Sequence, residues 1–229
     1  MLIDKAVETA PQTQQTENGQ TESAIKPVSE TAPITVDFER LQEENKDIIA
    51  WLYCPDTEIN YPVVQSKDNE YYLRRLLDGT WNIAGTLFMD YRNAADCSDL
   101  HTIIYGHNMR VKSMFGSLHD FESEDFYKKH NKIYLYQPGK TIKCTIYSVY
   151  DCLDKSATYN TDFSDDGNDN KWVDWLTMTV NNNAYYPIKK KPAEKDHIIT
   201  LSTCSGKQKG DSYRFVVHSL VTDTVIYEE

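Results

Sequence analysis

The sequence predicts a mainly β fold, a largely antiparallel β-barrel with helices before it and one more helix between its late strands. Apolar, β-branched runs of strand length recur along most of the chain, separated by polar residues typical of turns. Residues 141–150 alternate, with Ile142, Cys144 and Ile146 on one face. Gln137-Pro138-Gly139, just before that run, is typical of a hairpin turn. These three observations together favour a barrel of hairpin-connected strands.

Three helices are expected. Apolar residues spaced three and four apart predict a helix over 38–52, with Asp37 as its N-cap and Pro55 as its stop. A second, short helix is expected over 68–77. Tryptophans and other apolar residues with helical spacing predict a third over 172–179, among the late strands.

The strands follow from the same patterns. Each is a short apolar run that either alternates or is bounded by turn residues. In chain order, the predicted strands are 59–64, 85–89, 102–105, 132–136, 141–150, 197–203 and 213–221.

Composition limits the domain organisation and the partners. The 229 residues allow one sizeable domain and a tail, and 40% hydrophobic residues are enough for a packed core. The net charge is −11, and the basic clusters at 189–191 and 207–209 are short. Nucleic-acid binding normally needs an extended basic patch, so nucleic acid is not expected as a partner.

The first 35 residues differ from the rest. They are rich in Thr, Gln, Glu, Pro and Ser and contain no aromatic residue, so they cannot bury enough surface to offset their ordering entropy. We therefore predict a disordered tether over 1–35 and a folded domain over 36–229. The sequence contains neither an apolar run of about 18 residues nor a signal-peptide pattern, so we expect a soluble chain.

The five cysteines form no recognisable disulfide or zinc pattern. They are odd in number, widely spaced and without a Cys-x-x-Cys pair. Residues 162–173 faintly resemble a calcium loop, but Val173 stands where the bidentate glutamate should be. The sequence therefore predicts neither a metal ion nor a cofactor.

Cys204 is the best candidate for a reactive thiol. It ends an apolar strand, and Ser205 and Gly206 open a loop directly after it. Most cysteines serve as small buried hydrophobes, and Cys144, in the middle of an apolar strand face, fits that interpretation. Cys204 fits it less well because Ser202, Thr203 and Ser205 surround it.

His107 and Arg214 complete a possible catalytic set. A free thiol has a pKa of about 8.5, so a nucleophilic cysteine needs a basic or cationic neighbour. His107 follows Gly106 at the end of an apolar strand, and Arg214 opens the strand that follows Cys204. A guanidinium that donates in a fork suits a developing oxyanion. The alternatives are a structural histidine and a surface arginine in an ion pair.

Three segments together resemble the class B sortases. They are Tyr-Gly-His-Asn at 105–108, Thr-Leu-Ser-Thr-Cys at 200–204, and Arg214 opening a Phe-Val-Val strand. The resemblance covers roughly residues 36–229. It implies an eight-stranded sortase barrel in which Cys204 is the nucleophile, His107 its proton partner and Arg214 the oxyanion stabiliser.

The resemblance also implies an activity and a location. A sortase of this class is a cysteine transpeptidase that cleaves the C-terminal sorting motif of secreted surface proteins after a threonine. The thioacyl-enzyme then passes the acyl group to an amine of peptidoglycan or of its lipid-linked precursor. Such enzymes act at the extracellular face of the Gram-positive membrane and are held there by an N-terminal anchor; since no such segment is seen in this sequence, we expect it to represent a soluble ectodomain form.

Two further residues are candidates for substrate binding. Ser202 lies two residues before Cys204 on the same strand face, and its alternative role is a hydroxyl bonded to the backbone. Tyr186 follows the third helix and would wall a groove for an extended peptide, with core packing as the alternative.

Three rival interpretations remain open from the residues alone. The first is a cysteine hydrolase of cell-wall peptides, and the second is a non-catalytic β-barrel binding module of the cell surface. The third is a triad in which Asp211 orients His107. Asp211 is close to Arg214 in sequence, so pairing with Arg214 or facing solvent is its alternative.

Overall fold

The computed structural model describes residues 6–9, 32–164, 170–206 and 212–227, in which eight strands close into a barrel. The fold predicted from the sequence is thereby confirmed. Two further strands pair outside the barrel. In chain order the strands are β1 (Val7–Thr9), β2 (Ile34–Val36), β3 (Ile48–Tyr53), β4 (Asn60–Val64), β5 (Leu87–Met89), β6 (His101–Tyr105), β7 (Lys132–Gln137), β8 (Lys140–Leu153), β9 (Ile198–Cys204) and β10 (Tyr213–Ile226).

The barrel order is β10-β8-β7-β3-β4-β5-β6-β9, with β9 returning to β10. Most neighbours are antiparallel, but β4 pairs parallel with β5, and β6 pairs parallel with β9. Parallel neighbours end at the same edge of a sheet, so the residues that follow β6 and β9 emerge side by side. This pair of strands decides where the functional site forms.

The first predicted helix is much shorter than the apolar spacing indicates. Helix α1 (Phe38–Glu44) begins after Asp37, whose Oδ1 accepts from the Arg40 amide at 3.0 Å. Residues 48–53 form strand β3 instead. Because β3 is largely buried on both faces, its apolar residues do not alternate, and their spacing imitates one helix face.

The other helices agree only in part. Over 68–77 the structure has a single 3-10 turn, Tyr71–Arg74. A longer 3-10 helix (Gly116–Glu122) and helix α2 (Glu124–His130) were not predicted. Helix α3 (Lys171–Asn181) confirms the third prediction; it buries Trp172, Trp175 and Leu176 in a cluster with β8 residue Tyr147.

Part of the predicted tether is folded. Strand β1 pairs antiparallel with β2, and Ala6 and Ile34 are buried beside α1 and the barrel. The Ile34 amide also donates to the Tyr136 hydroxyl at 3.3 Å. The expectation of disorder fails for these residues because apolar contacts offset their ordering entropy. Residues 1–5 and 10–31 of the predicted tether lie outside the described residues.

The barrel interior holds the main apolar core, which includes Leu52, Leu87, Ile104, Leu201 and Phe215. Along the described chain, no helix has both the length and the apolar character needed to cross a membrane.

Candidate active site

Cys204 is the last residue of β9 and lies between two strands of the barrel. On one side its register partner is Arg214, the second residue of β10. On the other side β6 runs parallel and ends with Tyr105 opposite Ser202. Ile199 and Leu201 of β9 point into the core, so Ser202 and Cys204, which are out of phase with them, face away from it.

His107 reaches the same place because β6 continues for one residue and then turns. The Gly106 amide donates to the Ser202 carbonyl at 3.1 Å, which extends the parallel pairing. A Cβ on Gly106 would lie 2.3 Å from Leu87 Cδ2 and 2.7 Å from Phe115 Cδ2, so the close approach requires glycine.

A backbone hydrogen bond orients the His107 ring. Its Nε2 lies 2.6 Å from the Leu73 carbonyl oxygen. A carbonyl only accepts, so Nε2 carries the proton. In the neutral ring Nδ1 is then the unprotonated nitrogen that can take up a proton.

Arg214 is held at the opening of β10 by nearby oxygens. Its Nη1 donates to the Tyr213 carbonyl at 3.3 Å, and its Nη2 lies 3.7 Å from a carboxylate oxygen of Asp154. The Asp154 backbone amide donates to the Ser212 carbonyl at 2.8 Å, which places Asp154 beside the start of the same strand. A quarter of the Arg214 side chain is exposed to solvent.

These side chains line one cavity of about 410 Å³. Cys204, His107, Arg214 and Ser202, all predicted from the sequence, line its wall. The other lining residues are Asn69, Leu73, Phe88, Arg92, Tyr105, Gly106, Asp154, Tyr159 and Thr203. A thiol, an imidazole and a guanidinium are therefore available to a single bound group.

Ser202 presents its hydroxyl beside an aromatic wall. Its Oγ lies 2.8 Å from the Tyr159 hydroxyl, and the residue is 1% exposed. Burial raises the pKa of Tyr159, so this phenol stays protonated and either hydroxyl can donate.

Tyr186 does not lie where the sequence suggested. It is 6% exposed, belongs to the main core and packs against Tyr127, with ring centroids 4.9 Å apart. Its hydroxyl donates to the Phe121 carbonyl at 2.7 Å. The substrate-wall prediction is therefore wrong and the core-packing alternative holds, because the chain after α3 turns back under the 3-10 helix. Asp211, the alternative partner of His107, lies outside the described residues.

A buried carboxylate beside the cavity was not predicted. Asp90 is fully buried and accepts from Arg92 Nε at 2.9 Å, from Arg92 Nη2 at 2.8 Å and from the Tyr105 hydroxyl at 2.9 Å. Burial alone raises the pKa of Asp90, but these donors outweigh it and leave the pKa below its ordinary value. An aspartate at a strand end carries no signal of this in sequence. Its effect is to fix two cavity-lining residues, Arg92 and Tyr105.

The other four cysteines lie in different surroundings. Burial raises the pKa of Cys54 to about 12 and that of Cys97 to about 12. Burial also raises the pKa values of Cys144 and Cys152. None of these four lines the cavity described above.

Comparison with known proteins identifies the family. Residues 52–221 match the model of the sortase domain. The chain is 39% identical over 184 residues to sortase B of Listeria monocytogenes, covering 80% of this chain and 73% of that protein. It is 32% identical over 182 residues to sortase B of Staphylococcus aureus, covering 79% and 72% respectively.

Solved structures give the same result. The Staphylococcus aureus sortase B–substrate complex superposes with a TM-score of 0.74 at 32% identity, covering 82% of this chain and 85% of that one. Sortase B from B. anthracis in complex with AAEK1 gives 0.72 at 35% identity, covering 82% and 86%.

The fold and the match together define a sortase, so this chain belongs to that family of cell-wall-associated transpeptidases. Its relatives in sequence and in structure are sortases B, and the class B assignment made from the sequence is confirmed.

Proposed function

We propose that this sortase cleaves a C-terminal sorting motif of secreted proteins after its threonine and transfers the acyl group to an amine of peptidoglycan or of its lipid-linked precursor. One observation carries the proposal. Cys204 ends β9, His107 follows the adjacent parallel strand β6, Arg214 is the register partner of Cys204 on β10, and all three line one cavity.

The first half of the reaction forms a thioacyl-enzyme. The Cys204 thiolate attacks the carbonyl carbon of the threonine, and a C–S bond forms while negative charge moves to the carbonyl oxygen. The Arg214 guanidinium donates to that oxygen. The C–N bond then breaks, and protonated His107 gives its proton to the leaving amine.

The second half reverses these roles with a new amine. The incoming amine attacks the thioacyl carbon, His107 takes its proton, and the C–S bond breaks to return the Cys204 thiolate. One amide is exchanged for another, so protons and electrons balance without a further reactant.

The cavity wall suits an extended peptide. Leu73 and Phe88 offer apolar surface, while Ser202 and Asn69 offer hydrogen-bonding groups within the same cavity. The substrate-bound Staphylococcus aureus sortase B supports a peptide as the ligand here. We propose that the Ser202 hydroxyl bonds the peptide main chain near the scissile bond.

We place the enzyme at the extracellular face of the membrane. Secreted proteins and lipid-linked cell-wall precursors meet there, and the class B resemblance implies an N-terminal membrane anchor.

Mass spectrometry of the protein incubated with candidate sorting peptides tests the proposal. We expect a thioacyl adduct on Cys204, which a supplied amine converts to a new amide. The adduct is lost in Cys204→Ala and is retained in the control Cys152→Ala, which removes the thiol of the residue that is the register partner of Arg214 on β8. Free acid alone, even with amine present, would indicate the hydrolase, and the absence of any adduct would favour the binding module.

A further inference from the structure

The main chain of Cys204 lies where the pairing of β6 with β9 ends. The Ser205 amide donates to the Tyr213 carbonyl at 3.0 Å, so residues 205 and 213 form a hydrogen-bonded antiparallel pair. Antiparallel ladders alternate, so the backbone N–H and C=O of Cys204, one residue earlier, point away from β10 and toward the β6 side. There the chain has already turned outward at His107.

Two side chains contact the carbonyl that this turn leaves at the strand end. Asn108 Nδ2 lies 2.9 Å from the Cys204 carbonyl oxygen, and His119 Nε2 lies 3.1 Å from it. They take the position that a ladder amide would occupy if β6 continued alongside β9. The nucleophile's own backbone is thus held by two side chains from residues 108–119, a loop that runs into the 3-10 helix.

That loop is firmly built into the core. Asn108 and Met114 form an isolated β-bridge, and the Phe115 amide donates to the His107 carbonyl at 3.0 Å. The Phe115 side chain is fully buried. Gly116 packs so closely on Met109 that a Cβ would lie 2.1 Å from its carbonyl oxygen. The loop therefore holds Asn108 and His119 on a rigid support.

His119 is itself oriented from two sides. Its ring stacks on Phe215, with centroids 4.5 Å apart, and its Nδ1 lies 2.8 Å from Oε1 of Glu122. A carboxylate accepts, so Nδ1 carries a proton. The doubly protonated ring also donates from Nε2 to Cys204, whereas the neutral ring accepts from Asn108 Nδ2 at 3.2 Å. In either state a donor remains on the Cys204 carbonyl.

We propose that Asn108 and His119 are positioning residues that hold the Cys204 main chain in register with His107, with Glu122 orienting His119. Asn108 directly follows His107 and bonds Cys204 through its side chain, so one residue ties the proton partner to the nucleophile. A misplacement of about 1 Å in such a pair is expected to cost on the order of 100-fold in rate. The proposal rests on the function proposed above for Cys204 and His107.

Two isosteric or near-isosteric variants test the role. Asn108→Asp replaces the donor with an acceptor facing the Cys204 carbonyl, and His119→Leu removes the polar ring and its contacts with Asn108 and Cys204. We expect kcat for transpeptidation to fall roughly 100-fold in Asn108→Asp and less in His119→Leu, where Asn108 remains, with KM unchanged. His119→Gln restores a polar group that can donate to Cys204 or accept from Asn108, so it is expected to recover most of the loss.

His130→Gln is the matched control. His130 also stacks on an aromatic ring, Phe126, and also contacts a carbonyl oxygen, that of Pro55, but it lies in α2 and does not line the cavity. Its kcat is expected to equal that of the wild type. Wild-type kcat in Asn108→Asp, or equal losses in His119→Leu and His119→Gln, would overturn the proposal.

Alkylation of Cys204 by iodoacetamide gives a readout that needs no substrate. If the pair is held in place by Asn108, the alkylation rate of Cys204 should fall roughly tenfold in Asn108→Asp while the melting temperature changes little. A lower melting temperature with an unchanged alkylation rate would mean a purely structural role. Because this assay works without transpeptidation, failure of the proposed function and failure of the positioning role are distinguishable.

Discussion

At the scale of single residues, the five cysteines have the same side chain but different chemical environments. Cys54 is completely buried, with its Sγ 3.4 Å from the Lys132 carbonyl, and burial raises its pKa to about 12. Desolvation disfavours a thiolate wherever no cation compensates. Cys204 instead shares a cavity with His107 and Arg214. The surroundings, more than the residue type, select the nucleophile.

Selective alkylation at neutral pH follows from this contrast. We expect one equivalent of iodoacetamide to label Cys204 well before Cys54, Cys97, Cys144 or Cys152, since desolvation raises the pKa values of those four thiols. Peptide mapping by mass spectrometry measures the order. Equal labelling of Cys204 and Cys152 in the native protein would contradict the expectation. Labelling of the protein unfolded in urea is the control, in which all five thiols are expected to react at similar rates.

Arg214 is positioned by strand register. It is the partner of Cys204 on β9 and of Cys152 on β8, so a shift of one residue would move the guanidinium to the other face of the sheet. The long pairing of β10 with both neighbours makes such a slip costly. Its proposed role as an oxyanion donor therefore depends on the barrel as much as on its own chemistry.

At the scale of elements, the parallel pairing of β6 with β9 brings the proposed proton partner to the nucleophile. Their carboxyl ends lie side by side, although about a hundred residues separate His107 from Cys204 in the chain. Gly106 makes the junction possible, because it extends the pairing and then lets the chain pass between Leu87 and Phe115.

Gly106→Ala tests this junction. The new Cβ would meet Leu87 at 2.3 Å and Phe115 at 2.7 Å, so we expect a loss of roughly 1–3 kcal/mol in the free energy of unfolding. Urea unfolding at neutral pH measures the loss.

The double variant Gly106→Ala with Leu87→Ala is the control for the cause. Truncating Leu87 removes one of the clashing side chains, so the double variant is expected to lose less than the sum of the two single losses. Strictly additive losses would show that the contact with Leu87 does not cause the destabilisation in Gly106→Ala.

At the scale of the whole molecule, a buried polar chain crosses four neighbouring strands behind the site. His101 Nε2 and His218 Nδ1 each lie 2.7 Å from Oγ1 of Thr200, and His218 Nε2 lies 3.0 Å from the Tyr150 hydroxyl. The Trp175 ring of α3 covers His101, with centroids 4.3 Å apart. Burial lowers the pKa of His101 to about 4 and that of His218 well below its usual range.

Stability should therefore depend on pH. Both histidines are neutral in the folded protein, whereas in the unfolded chain a histidine becomes charged below a pKa of about 6.5. Their contribution to the free energy of unfolding is therefore fully present above that pH and is lost as the pH falls toward 4. For His101 the loss between pH 7.5 and pH 5 amounts to roughly 2 kcal/mol. Urea unfolding at the two pH values, both above the titration of most carboxylates, measures it.

His101→Gln is expected to show a smaller loss over the same interval. Tyr147→Phe provides the matched control, because it removes an equally buried hydroxyl, bonded to Thr179, without removing a histidine. If the control and His101→Gln show the same pH dependence, the histidine explanation is wrong.

Much of the fold was predictable because local signals were strong. Alternation over 141–150 and the turn at 137–139 correspond to β8 and to its hairpin with β7. Strand β3 was missed because burial on both faces removes the alternation that marks a strand. Tyr186 was assigned to the wrong place because a short aromatic segment has the same sequence pattern whether it lines a groove or packs in the core.

The sequence by itself determined the barrel class, the sortase family and the identity of the candidate residues, because strand periodicity and the motifs around Cys204 and His107 are local properties. Only the tertiary structure decided which of those residues meet and what holds them. The parallel ends of β6 and β9, the register of Arg214 and the contacts of Asn108 and His119 with the Cys204 carbonyl all join segments far apart in the chain. Such contacts depend on how the barrel closes, and no local pattern encodes that closure.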